Sequence, residues 1–131
     1  MGIYCTNNMN QAIRWANRGI GEPIINYYEY VPTENLKILR FPEISDEWLD
    51  FIAECRSGKT HTYDIVEGPM ANDTVWNYVN DFLAGRITRR QFWVLAEFKY
   101  PTHQISFHTL SAIDCLTFMK SEVVYDRTGK K

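Results

Sequence analysis

The stretch Asp64-Ile-Val-Glu-Gly-Pro-Met-Ala-Asn-Asp73 decides how the chain is read. Tyr63 to Val66 is a strand-like run that stops at Gly68-Pro69, and a helix-like run starts near Asn72 or Asp73. Glycine tolerates positive φ, whereas proline fixes its own φ and carries no N–H, so the pair ends regular structure. Three carboxylates, Asp64, Glu67 and Asp73, crowd this one turn. Ordinary turn and cap chemistry accounts for them, since an acid near a helix start is stabilised by unpaired N–H groups and the helix dipole. A phosphate-bearing ligand at the same helix start is the alternative, and the carboxylates oppose it.

Upstream of the turn, Ile3 to Thr6 is a short β-like run from Gly2. Asn7 and Asn8 follow as helix caps, and Asn8 with Gln11 has capping-box spacing. Met9, Ala12, Ile13 and Ala16 recur at helical spacing, and Arg18-Gly19 is the stop. Pro23 to Val31 is a β-branched and aromatic run ended by Pro32, and Leu36 to Phe41 is a second. Their proximity predicts adjacent antiparallel strands joined at Thr33-Glu34-Asn35. Ser45 caps a helix with Trp48, Phe51, Ile52 and Cys55 on one face, closed by Ser57-Gly58.

Downstream, Val75, Trp76, Val79, Phe82 and Leu83 form an apolar helix ending at Gly85, and Thr88 with Gln91 opens another. That helical hairpin ends near Tyr100-Pro101. Gln104 to Thr109 alternates apolar and polar residues, as a strand with one buried face does. Leu110 to Cys115 reads as one or two helical turns, Leu116 to Tyr125 as a final strand, and Asp126 to Lys131 as a polar tail. Strands and helices mix without regular β-α-β alternation, which predicts an α+β fold with mostly antiparallel strands.

The 131 residues suit one domain, taken as residues 1–126 with a tail at 127–131. A hydrophobic share of 45% supplies a core, and a net charge of -2 argues against a general nucleic-acid surface. No apolar run approaches the ~20 residues that span a bilayer. The start, Met-Gly-Ile-Tyr-Cys-Thr, is not a signal peptide, so a cytoplasmic location is the simplest expectation. It begins as structured sequence, which leaves two readings: a fold compact from residue 1, or a chain lacking its first strand.

Cys5, Cys55 and Cys115 are far apart and lack Cys-x-x-Cys spacing, so they read as buried free thiols with no metal site. His103 and His108 would face opposite sides of a strand and share no metal. No phosphate loop is present. Trp15, Trp48, Trp76 and Trp93 fall at core-compatible helix positions.

Three segments together resemble a bacterial family of uncharacterised proteins grouped with the ADP-ribosyltransferase-like superfamily. They are Gly2-Ile-Tyr-Cys-Thr6 with Gln11-Ala12 and Trp15-Ala16, then Asp64 to Asp73, then Gln104-Ile-Ser-Phe-His-Thr109 with Ala112 and Leu116. The resemblance implies a split antiparallel core that binds NAD in a cleft. It places Tyr4 beside nicotinamide and Gln104 where a glutamate usually holds the nicotinamide ribose; the first superfamily position has no match. The expected catalytic residues are Gln104 and Tyr4, and the expected NAD contacts are Tyr4, Thr6 and Trp15, with Glu67 and Asp73 as second-choice site residues.

Gln104 keeps a hydrogen bond but loses a charge, by analogy a loss of about 3–4 kcal/mol of transition-state stabilisation unless Glu67 or Asp64 supplies it. Two expectations follow: an ADP-ribosyltransferase-like protein of unknown acceptor, or a non-catalytic binding or structural module, a toxin partner or fragment, that keeps the fold without transferase activity. Should the first strand be missing, an open sheet edge would favour a homodimer.

Overall fold

The computed structural model describes residues 3–71, 73–96 and 102–125, with the Asp73 side chain left out. The readings that rest on Gly2, Asn72, Tyr100-Pro101 and residues 126–131 lie outside the described residues, as does the Asp73 side-chain role.

The elements in order are β1 (Ile3–Cys5), α1 (Met9–Arg18), β2 (Ile24–Tyr30), β3 (Ile38–Arg40), α2 (Asp46–Arg56), β4 (Ile65–Gly68), α3 (Asp73–Leu83), α4 (Arg89–Leu95), β5 (Gln104–Phe107), α5 (Leu110–Ile113) and β6 (Leu116–Val123). The strands form two sheets, β1-β5-β4-β3 and β2-β6, and β1/β5 and β2/β6 are both antiparallel. The fold is α+β with a split β structure. Contacts divide the chain into two compact units that interleave along the sequence.

The first unit runs up to Leu39, takes in Tyr63–Glu67 and resumes at His103. One cluster of its core is Ile65, Ile105, Phe107 and Ala112, with Cys5, Tyr30, Ile38 and Leu116 against it. A second holds Ile13, Ile25 and Val124 beside Ala12, Ala16 and Tyr27. Helix α1 starts as its sequence predicts, with the Asn8 side chain accepting from the Gln11 N–H. Strand β5 departs from the expected single buried face, because Ser106 is buried as well as Ile105 and Phe107. The buried Ser106 hydroxyl is satisfied by Val66 O at 3.2 Å and His108 Nε2 at 2.7 Å.

The expected hairpin of β2 with β3 does not form. Strand β2 pairs instead with β6 from Ile24↔Val123 to Tyr30↔Leu116, and β3 sits at the edge of the other sheet, next to β4. The physical reason is length and pattern. Seven residues of β2 find seven partners on β6, whereas β3 offers only three residues. The ladder steps from Tyr27↔Lys120 to Tyr28↔Phe118, so Met119 is the extra residue of a bulge.

The second unit comprises Arg40–Thr62 and Gly68–Thr102 and is helical. Trp48, Leu49, Ala53, Val75, Val79 and Phe92 from α2, α3 and α4 make its core. The Ser45 cap and the Thr88–Gln91 capping box are both formed. The turn after β4 is tied down twice: Trp48 Nε1–H donates to Pro69 O at 3.0 Å, and Thr102 Oγ1 accepts from the Met70 N–H at 3.0 Å. Gly68 lies against Phe41, whose Cβ would be 3.0 Å from any added Cβ, so close approach is what requires glycine here. Cys115 is buried as expected, whereas Cys5 is half-buried and Cys55 exposed. Cys55 sits at the polar end of α2, beyond the face that packs.

Candidate functional site

The first unit contains a cleft of about 710 Å³, within the ~300–1,000 Å³ typical of small-molecule sites. The end of β1 and its loop (Tyr4, Thr6), helix α1 (Trp15) and strand β2 (Asn26, Tyr28) line it, with Glu67 of β4 and His103. Tyr4, Thr6, Trp15 and Glu67, all expected as site residues, thus line one cleft. Gln104 is not among the lining residues. Ile105 and Phe107 of the same strand are, and Gln104 lies one residue out of step with them.

His103 organises this site. Its Nδ1 accepts the Asn7 N–H at 3.1 Å, and the Thr6 hydroxyl reaches the same nitrogen at 3.4 Å. An acceptor at Nδ1 means that the proton of the neutral ring is on Nε2, which donates to Glu67 Oε2 at 2.8 Å. A hydrogen bond to a charged acceptor is worth roughly 1.5–3 kcal/mol. The His103 main chain is held too: Gln11 Oε1 accepts its N–H at 2.9 Å, and Gln11 Nε2 donates to its carbonyl at 2.6 Å. Gln11 is 1% exposed, so its amide is spent on this clamp. The loop after β1, helix α1 and the residue before β5 therefore converge on the orientation of the Glu67 carboxylate.

Asp64 belongs to a different arrangement. The Thr109 hydroxyl donates to it at 2.7 Å and the Lys37 N–H at 2.8 Å, and these bonds hold its carboxyl below the usual carboxylate range. Its role is to tie the entry of β4 to the start of α5. Burial pushes the Cys5 thiol up, so this cleft-lining residue stays protonated at neutral pH. His103 and His108 do not meet: the former bonds Glu67 and the latter Ser106. Among the described residues no group of three His, Cys, Asp or Glu side chains could hold a metal, and no helix is long and apolar enough to cross a membrane.

Residues 1–118 match the model of the family described as Protein of unknown function (DUF3990). The chain belongs to this family. The DUF3990 match begins before β1 and reaches into β6, so it encloses every cleft residue named above. No match is found among curated proteins or solved structures. The DUF3990 description carries no activity and no link to an ADP-ribosyltransferase-like superfamily.

Reasoning from sequence missed His103, Gln11, Asn26 and Tyr28 as parts of the site. Gln11 had a visible place in the Gln-Ala segment, but its spacing to Asn8 pointed to a cap. His103 has partners 36 and 92 residues away, and no local pattern announces them.

Proposed function

We propose that this DUF3990 protein binds NAD in the cleft of its first unit and is an ADP-ribosyltransferase-like protein of unknown acceptor. The observation that carries the reading is the convergence of Tyr4, Thr6, Trp15 and Glu67 on one cavity of ligand size. These residues are all candidates of the sequence and are separated by up to 63 positions in the chain.

In this reading Tyr4 stacks on the nicotinamide ring. Glu67, not Gln104, supplies the negative charge. The reaction breaks the bond between C1′ of the nicotinamide ribose and the nicotinamide nitrogen, and the bonding pair leaves with nicotinamide. A nucleophile on the acceptor forms the new bond at C1′ and releases its proton to solvent. Positive charge grows on the ribose during bond breaking, and a fixed carboxylate stabilises it. The His103 Nε2–H holds that carboxylate in one orientation beforehand, so little reorganisation accompanies the step.

A second reading, a binding module without transfer, is favoured by Gln104 standing where the resemblance implies a glutamate. One experiment separates the two. NAD binding is followed by calorimetry, and transfer or hydrolysis is followed with NAD labelled in the adenylate half. Binding with label transfer that disappears in Glu67→Gln supports the transferase. Binding without turnover leaves the module, and no binding removes both.

A further inference from the structure

NAD has two ends of opposite chemistry, a cationic pyridinium on one ribose and an anionic diphosphate beyond it. Among the described residues that line the cleft there is one carboxylate, Glu67, and no lysine or arginine. The obvious backbone site for an anion would be the start of α1. Around that start, Asn7 N–H gives to His103 Nδ1, Asn8 N–H to Thr6 Oγ1, and Gln11 N–H to Asn8 Oδ1. A diphosphate lodged there would meet no lysine or arginine among the described lining residues. The aromatic lining points the other way, since rings attract cations through their negative faces. Tyr27 already does so, with the Lys120 ammonium 4.9 Å from its ring centroid. The rings of Tyr4 and Tyr28 line the cleft and are 58% and 44% exposed, so their surfaces are open to a ligand.

We infer that the cleft selects the positively charged N-ribosyl pyridinium end of its ligand and does not grip the diphosphate. This deepens the NAD reading and rests on it for the choice of ligand. The positive ring lies against the Tyr4 and Tyr28 faces with its charge opposed by the Glu67 carboxylate. Reduction of the pyridinium to a dihydropyridine removes that charge while leaving size and hydrogen-bonding groups nearly unchanged. Recognition by charge therefore makes affinity depend on the ring's oxidation state.

Calorimetry on the full chain, with nicotinamide riboside and its dihydro form as probes and ADP-ribose alongside NAD, tests this. The oxidised riboside should bind at least about tenfold tighter than the reduced one. That ratio should fall toward one in Glu67→Gln, and ADP-ribose should bind at least about tenfold more weakly than NAD. Equal affinity of the two ribosides, absence of binding by the oxidised riboside, or ADP-ribose as tight as NAD would overturn it. A tenfold riboside ratio without label transfer from NAD removes the transferase reading and leaves charge selection standing. Label transfer with a ratio of one does the reverse.

Discussion

Replacing Gln11 by leucine tests whether the amide clamp on His103 organises the first unit. The side chain is 1% exposed and makes two hydrogen bonds to one peptide segment, at 2.9 and 2.6 Å. Leucine fills nearly the same volume but leaves the His103 N–H and carbonyl without those partners. Each lost partner of a buried polar group costs about 1–3 kcal/mol. His103 as a residue is only partly buried, so water relieves part of that penalty. The expected loss is about 2–4 kcal/mol, a large share of the ~5–15 kcal/mol that holds a typical domain together. Urea unfolding of the two proteins measures it. With slopes of ~1–3 kcal/mol/M, the midpoint should fall by roughly 1–2 M at unchanged slope. A fall below about 0.3 M would mean that the His103 main chain is satisfied without Gln11, and the account of the site given above would fail.

Three other outcomes follow from the same structure. Gly68→Ala forces a Cβ to within 3.0 Å of Phe41 Cβ and 3.3 Å of Phe41 O, so it should destabilise by about 1–3 kcal/mol in a thermal melt; an unchanged melt would refute the close approach. Tyr4→Ala should leave stability within ~0.5 kcal/mol because the ring is 58% exposed, yet abolish the heat of NAD binding. Tyr4→Phe should retain both, and a Tyr4→Ala protein with unaltered NAD binding would exclude the stacking role. The Asp64 carboxyl is held below its ordinary range by Thr109 and Lys37, so its folded pKa lies under its unfolded one. The stability it contributes is complete above the ordinary carboxylate value and is lost as pH falls through the depressed one. The difference between wild type and Asp64→Asn should therefore be constant near neutrality and shrink in acid. Urea midpoints across pH measure this, and a difference that grows as pH falls would contradict it.

Much of the local architecture can be read in the chain because its causes are local. Ser45 and Thr88 announce helix starts through a side-chain oxygen three residues before the N–H it accepts. Gly85, at φ 74°, ends the run after α3 because glycine adopts left-handed backbone freely. Part of the site is legible for a related reason: Tyr4 and Thr6 flank the turn into α1, and Trp15 rides on that helix.

Long-range choices are not legible. Strand β2 had a neighbour in sequence at β3 and a better partner at β6, some 90 residues on, and only the full ladder decides between them. Ser106 looks like the solvent side of an amphipathic strand until its hydroxyl is found buried against Val66 O, 40 residues away. Glu67 looks like turn chemistry until His103 is found 2.8 Å away. In each case the deciding partner is contributed by a remote part of the chain.

The distance between β2 and β6 also sets when the cleft can exist during synthesis. Tyr28 emerges early, but its ladder partner Phe118 is made about ninety residues later. Closing so long a loop carries an entropic cost that is repaid only once the whole ladder zips. The helical unit, with its short-range contacts, has by then been translated in full. A nascent chain therefore has no complete ladder behind the cleft until β6 has been made. Conversely, loss of the few residues of β6 by proteolysis would unmake a wall of the cleft without touching any of the residues proposed to hold NAD.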